Sequence, residues 1–300
     1  MELTARPYRD EADYARMRAL LVAMFAASGP PDYCSVGDLD WWRFTDDDPD
    51  AVVGAQLWFA GPDALVGFAW PDREQVDLMV HPGYHTPETL GTVLDWAEGE
   101  RRTRAGDGGE PASLTAWAFT RDRVMIETLR GRGYERTDEA LCYNYREIGD
   151  VPPVVLPPGY ALRHVRGEAD VEARVAIHRD AFAPSRMTAA KHRAVMGAPT
   201  YRPELDLVVV APDGAFAAYC IVWYDEANRH GVFEPVGCHS AHRRRGLGKA
   251  VVTEGLHRLA ALGARTASVI SHKDAVPANR LYQSAGFRPL DLHYAWQKRL

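Results

Sequence analysis

The stretch VFEPVGCHSAHRRRGLGKAVV, Val232 to Val252, decides how this chain is read. It consists of an apolar strand, a short basic turn with Arg243-x-x-Gly246-x-Gly248, and the start of an amphipathic helix whose apolar residues keep to one face through Leu262. The first backbone amides of a helix lack carbonyl partners and carry a partial positive charge, so a helix start holds anions. Gly246 and Gly248 let the chain curl around a phosphate group, while Arg243, Arg244, Arg245 and Lys249 add charge-assisted donors. This layout predicts a diphosphate cradle. Further on, PANRLYQSAGF from Pro277 to Phe287 reads as a helix that carries Tyr282 and ends at Gly286, where a left-handed cap is expected.

With these two motifs together, the chain resembles the GNAT superfamily of acetyl-CoA-dependent N-acetyltransferases. The likeness is carried by Arg243-x-x-Gly246-x-Gly248, by the preceding strand with Glu234, and by Leu281-Tyr282 followed by Gly286-Phe287. It implies that acetyl-CoA is held by backbone groups of Val236, Gly237 and Cys238, with Arg243, Arg244, Arg245, Gly246, Leu247, Gly248 and Lys249 around the diphosphate. One position departs from the pattern. Seven residues before the tyrosine the family often has asparagine and this chain has Ala275, so a pantetheine or acetyl contact is either missing or supplied by Asp274 or Asn279.

Three hundred residues with 46% hydrophobic content can bury a sizeable core and suggest two domains. A net charge of -6 argues against a general nucleic-acid binder. The four cysteines, Cys34, Cys142, Cys220 and Cys238, lie far apart, which fits a reducing cytoplasm better than a disulfide framework. The charged start MELTARPYRDEADY has no apolar run for a signal peptide or membrane span, so a soluble cytoplasmic protein is expected.

The chain also contains a diverged repeat. Arg6-Pro-Tyr-Arg9-Asp-Glu11-Ala12-Asp13 recurs as Arg163-His-Val-Arg166-Gly-Glu168-Ala169-Asp170, each copy leading into an amphipathic helix. Two strands around a tight turn follow, Ala55 to Trp70 and Leu207 to Tyr224. Next come a strand ending at His81 or His239, a helix, a strand at Ser113 to Phe119 or Thr266 to Ser271, and a helix closing on Gly133 or Gly286. An offset of about 155 residues marks tandem domains rather than a solenoid. Each reads as an α/β (α+β) unit with a mostly antiparallel central sheet flanked by helices. The boundaries expected are 1–148, a Pro-rich linker at 149–159 and a catalytic half at 160–300. The arrangement resembles two-domain members of the superfamily whose C-terminal half is catalytic.

The first copy reads His81-Pro-Gly-Tyr-His-Thr-Pro-Glu88 where the second has its basic turn, and Leu129 where the second has Tyr282. Its cradle is degenerate. Its expected uses are to complete the acceptor site, to brace the fold, or to form a homodimer surface.

Acetyl transfer to an amine needs a base, a polarised thioester carbonyl and a proton for the leaving thiolate. Glu234, just ahead of the cofactor turn, is the candidate base; the alternative is a strand glutamate paired with an arginine or facing solvent. Pro235 removes a ladder donor and favours a bulge that directs the Val236 or Cys238 amide at the thioester oxygen. Tyr282 is the candidate acid; the alternative is a core tyrosine. No metal is expected, because the adjacent Cys238 and His239 point to opposite faces of a strand. Asp38, Asp40, Trp41 and Trp42, with Trp223 and Tyr224, are candidate acceptor contacts, whereas Thr45 to Asp48 reads as a solvated loop. The sequence thus predicts an N-acetyltransferase of small primary amines, such as aminoglycoside-like, polyamine or amino-sugar compounds. A non-catalytic acyl-CoA-binding regulatory protein and a transferase using another acyl-CoA are the rival readings.

Overall fold

The structure, a computed structural model, describes residues 3–48, 50–105 and 112–300; Met1 and Glu2 of the charged N-terminal stretch lie outside them. In the first half β1 (Thr4–Pro7) leads into α1 (Glu11–Ser28) and α2 (Val36–Thr45). A hairpin of β2 (Gln56–Ala60) and β3 (Ala64–Asp72) follows, then β4 (Gln75–Val80), α3 (Pro87–Ala105), β5 (Ser113–Phe119), α4 (Arg123–Gly131) and β6 (Glu135–Glu147). The second half repeats the order as β7 (Ala161–His164), α5 (Val171–Ala181), α6 (Ala189–Met196), β8 (Asp206–Val210), β9 (Phe216–Asp225) and β10 (His230–Cys238). It closes with α7 (Leu247–Ala261), β11 (Thr266–His272), α8 (Val276–Ser284) and β12 (Arg288–Arg299). The fold is the expected mixed α/β arrangement of two tandem units with a mostly antiparallel sheet.

The repeated Arg-x-x-Arg-x-x-x-Asp motif builds the same tie twice. Asp13 accepts from the Arg6 guanidinium at 2.6 Å and from the Arg9 backbone amide at 3.0 Å. Asp170 likewise accepts from Arg163 and, at 2.7 Å, from the Arg166 amide. Each aspartate is almost fully enclosed, so these charge-assisted bonds fix the join between the edge strand and the first helix of each half.

The twelve strands among the described residues form one sheet, in the order β1-β2-β3-β4-β5-β12-β6-β11-β10-β9-β8-β7. The halves exchange their last strands. β12 runs antiparallel to β5 on one side and to β6 on the other, and β6 in turn pairs with β11 from Glu147 opposite Thr266 to Leu141 opposite His272. An unexchanged half would leave a long strand edge exposed, and the swap pairs those edges within the chain. As a result Trp296, near the C-terminal end, is buried in the first-half core with Leu129 and Tyr134, and Lys298 reaches Glu98 at 2.8 Å.

Among the described residues the only parallel pairings are β4 with β5 and β10 with β11, and both are short. β10 and β11 stay paired from His230 opposite Thr266 to Val232 opposite Ser268, then splay apart. That opening positions the site.

Candidate functional site

From Phe233 onward the β10 edge facing β11 has no strand partner among the described residues, while its other edge continues to pair with β9. The register with β9 shifts between Phe233 and Val236, a bulge that contains Glu234 and Pro235. Trp223 on β9 donates its indole N–H to the Glu234 carbonyl at 2.6 Å and so satisfies the oxygen that the bulge takes out of the ladder. The Glu234 carboxylate is half-buried and has no hydrogen-bond or ion-pair partner among the described residues. Burial, with the Asp38 charge adding to it, pushes its pKa up to about 8. Among the described residues no arginine pairs with this carboxylate, and its raised pKa leaves it largely protonated at neutral pH and a proton acceptor as pH rises toward 8.

Val236, Gly237 and Cys238 follow on the open edge, opposite Cys220, Tyr219 and Ala218 of β9. Burial raises the Cys238 pKa and its thiol lies 3.3 Å from the Ala217 carbonyl, so it is a protonated space-filler rather than a nucleophile. Among the described residues no group of His, Cys, Asp and Glu side chains is placed to hold a metal.

The basic turn lies at the mouth of the splay. Gly246 is the cap of α7 with φ 79°, a left-handed backbone that favours glycine, and no side chain caps the helix. The first intrahelical bond there is Ala250 N–H to the Gly246 carbonyl, which leaves the Leu247, Gly248 and Lys249 amides without helical acceptors. A Cβ added at Gly246 would meet no atom within 4 Å among the described residues, so the position is limited by its left-handed backbone rather than by packing. Gly248 serves packing instead, since a Cβ there would overlap the Leu281 side chain, and its absence lets α7 lie against α8. Arg243, Arg244, Arg245 and Lys249 are exposed around the turn, with Arg245 3.1 Å from the Tyr160 hydroxyl. The set fits a diphosphate: open amides, a helix dipole and surrounding cations.

Tyr282, on α8, is only 6% exposed and packs with Phe233 and Phe287 in the second-half core. Burial, then the nearby Glu234 and Cys220, raise its pKa well above the ordinary value, so the hydroxyl keeps its proton. The helix ends as expected, with Gly286 at φ 85° and the Phe287 amide bonded to the Tyr282 carbonyl at 3.0 Å. Asn279 is committed to its own loop: it accepts from Ser271 at 2.7 Å and donates to the carbonyls of His272 and Lys273. Ala275 caps α8 without a side-chain bond, and Asp274 pairs with Lys273 at 2.7 Å.

The model of the acetyltransferase (GNAT) family matches residues 173–287, the segment that holds the bulge, the cradle and Tyr282. A mycothiol acetyltransferase of Corynebacterium glutamicum is 40% identical over 248 residues, covering 79% of this chain and 79% of the relative. The chain belongs to the GNAT acetyltransferase family. A second mycothiol acetyltransferase, from Kineococcus radiotolerans, is 31% identical over 237 residues, 75% of this chain and 73% of the relative. In fold this GNAT protein is similar to a tandem GNAT protein from the clavulanic acid biosynthesis pathway, with a TM-score of 0.69, 19% identity, and coverage of 99% of this chain and 98% of that one. A GCN5-related N-acetyltransferase from Sphaerobacter thermophilus gives a TM-score of 0.68 at 21% identity, covering 99% and 95%. The chain is thus an N-acetyltransferase, and the non-catalytic rival is set aside.

On the far side of β10 the GNAT sheet borders a cavity of about 860 Å³, walled by both halves. The second half contributes Glu234, Pro235, His178 and Phe182, and the first contributes Trp41 and the run Asp46 to Asp48. That acidic run, expected as a solvated loop, is exposed at Asp47 and Asp48 and also borders the cavity, because the end of α2 meets the α5–α6 loop and the start of α6; there Asp47 pairs with Arg186 and Lys191. Of the candidate acceptor contacts, Trp41 lines this cavity and the others serve the fold. Asp40 is fully enclosed and accepts from Tyr14 at 2.7 Å and the Thr200 amide at 2.9 Å. Asp38 closes the α2 capping box with Ser35. Trp42 borders a small separate pocket, and Trp223 and Tyr224 are core residues.

The first half keeps the splay but fills its cradle. β4 and β5 pair at a single position, Gln75 opposite Thr115. The start of α3 is occupied by its own groups: Thr86 accepts from the Thr89 amide at 3.3 Å, and the Glu88 carboxylate has its pKa lowered by its own backbone amide and the Thr86 hydroxyl. A carboxylate already sits where an anion would bind, and Leu129 is an enclosed core residue without a proton to give.

Proposed function

We propose that this enzyme transfers an acetyl group from acetyl-CoA to the primary amine of a small molecule at the splay of its second half, residues 160–300. The first half, 1–148, closes the acceptor cavity across the 149–159 linker. Its relatives are named mycothiol acetyltransferases, which points to an amine on the route to mycothiol as the acceptor. The observation that carries the reading is Glu234, an unpaired carboxylate titrating near 8 between that cavity and the open edge of β10.

Acetyl-CoA supplies an activated thioester. Around it, the free amides of Leu247, Gly248 and Lys249 with Arg243, Arg244 and Arg245 hold the diphosphate, and the open edge of Val236, Gly237 and Cys238 offers backbone groups to the rest of the molecule. Glu234 takes the proton of the acceptor ammonium, directly or through one water, and frees the nitrogen lone pair. As the N–C bond forms and the C–S bond breaks, a backbone amide at Val236 or Cys238 meets the charge developing on oxygen. The Tyr282 hydroxyl would give its proton to the departing sulfur, and the second proton lost from nitrogen as the amide forms would restore the hydroxyl. A reducing cytoplasm suits the four unpaired cysteines.

The test is calorimetry of acetyl-CoA binding to wild type and Gly246→Glu, with thiol release measured over a panel of amines that includes the mycothiol precursor. Binding at one site per chain, its loss in the variant and turnover of the precursor are the expected results. Binding without turnover of any amine overturns the reading, and turnover of other amines alone replaces the acceptor.

A further inference from the structure

Beside Glu234 the cavity carries a second titratable group that acetyl transfer does not use. His178, on α5, is 8% exposed, and its Nδ1 lies 2.7 Å from the Tyr219 hydroxyl. Tyr219 is fully enclosed, and among the described residues the other hydrogen-bonding neighbour of its hydroxyl is the Arg174 guanidinium, which can only donate. An enclosed phenol proton requires an acceptor, so Tyr219 donates to Nδ1. Burial, then the charge of Arg174 and the neighbouring His192, push the His178 pKa down to about 4, so the ring is neutral in the working range. A neutral imidazole that accepts at Nδ1 carries its proton on Nε2. That nitrogen has no protein partner among the described residues, and the ring lines the cavity.

The pair is rigidly held. The Arg174 guanidinium stacks 3.6 Å from the Tyr219 ring centroid and is itself held by Asp206 at 3.0 Å, both charges being enclosed. Phe182 stacks on the His178 ring with centroids 5.0 Å apart, and Trp41 from the first half approaches within 5.9 Å. An uncharged donor so placed neither repels an ammonium group nor competes with Glu234 for its proton.

We propose that His178 is an acceptor-binding residue that donates Nε2–H to an uncharged oxygen, a hydroxyl or an amide carbonyl, close to the reacting amine, and that Tyr219 fixes this tautomer. The inference rests on the cavity being the acceptor site. It names the class of acceptor preferred: amines with a neighbouring oxygen over simple alkylamines, because a site built around a fixed donor rejects a ligand that leaves it unpaired.

The experiment compares D-glucosamine with cyclohexylamine, a ring amine lacking the oxygens, by calorimetric binding to the full chain saturated with CoA. Wild type is expected to bind glucosamine more tightly. His178→Leu weakens glucosamine about tenfold and cyclohexylamine less than about twofold, the size of one lost hydrogen bond. His178→Gln, whose amide places an N–H near the former Nε2, recovers part of that preference, and Tyr219→Phe loses part of it. Equal weakening of both amines in His178→Leu, no weakening of glucosamine, or failure of wild type to bind either amine overturns the proposal. Because binding is read without turnover, a wild type that binds glucosamine but acetylates no amine sinks the catalytic reading and leaves His178 as a binding residue.

Discussion

At the scale of single residues, the acidity of Glu234 links chemistry and stability. Its pKa of about 8 lies above the ordinary 4.5, so the folded chain retains a proton that the unfolded chain releases between those values. Stability therefore falls as pH rises from about 4.5 to about 8, while the fraction of active base rises over the upper part of that window. Glu234→Gln is expected to lower kcat by about 10²–10⁴-fold, to remove the acid limb of the rate profile and to abolish that stability slope, as read by steady-state kinetics and pH-dependent melting. Asp38→Asn keeps an oxygen acceptor for the capping box and removes the negative charge that adds to the shift, so the acid limb moves to lower pH. Tyr282→Phe keeps the ring packing and lowers kcat with acetyl-CoA binding unchanged; unaltered turnover would assign Tyr282 to the core alone. Glu234 and Tyr282 stand out in the sequence because each sits at a fixed place in a motif. His178 does not, since its role depends on Tyr219 and Trp41, which come from other elements, and on the enclosed Arg174 that holds Tyr219 in place.

At the scale of elements, α7 separates two uses of glycine that look alike in the sequence. Gly246 faces open space with a left-handed backbone, whereas Gly248 faces Leu281. Gly246→Glu puts a carboxylate at an anion site and strains the backbone by about 1–2 kcal/mol. It should abolish acetyl-CoA binding while leaving a cooperatively folded protein by calorimetry. Gly248→Ala presses on Leu281, next to Tyr282 on α8, so its effect should be on kcat and melting temperature more than on the acetyl-CoA dissociation constant. The strand–turn–helix layout and the helix end at Gly286 were legible because caps, turns and hydrophobic periodicity are local. The splay was not, because it is the absence of pairing between β10 and β11 beyond Val232 and Ser268, elements far apart in the chain.

At the scale of the whole molecule, the exchanged strands make each half depend on the other. Trp296 belongs to the first-half core although it lies in the last strand, so Trp296→Ala should cost about 3–5 kcal/mol and loosen the first half, seen as hydrogen exchange in β4 and β5. Residues 160–300 expressed alone would lack β6 and leave the β11 edge open; they should associate or aggregate by size-exclusion chromatography, and co-expression with 1–148 should restore a single species. The same interdependence reaches the site. Gly37 on α2 lies so close to Trp223 that a Cβ would overlap its side chain, and Trp223 holds the Glu234 carbonyl. The sequence by itself determined the class of fold and the doubling of the unit, and it singled out the basic turn, Glu234 and Tyr282 as candidates, because each is written in local spacing that short-range sterics and hydrogen bonding decode. The strand exchange, the acidic wall of the cavity beside Glu234 and the pairing of His178 with Tyr219 were decided only by the tertiary structure, because they arise where segments distant in the chain pack against one another, and that packing sets their partners.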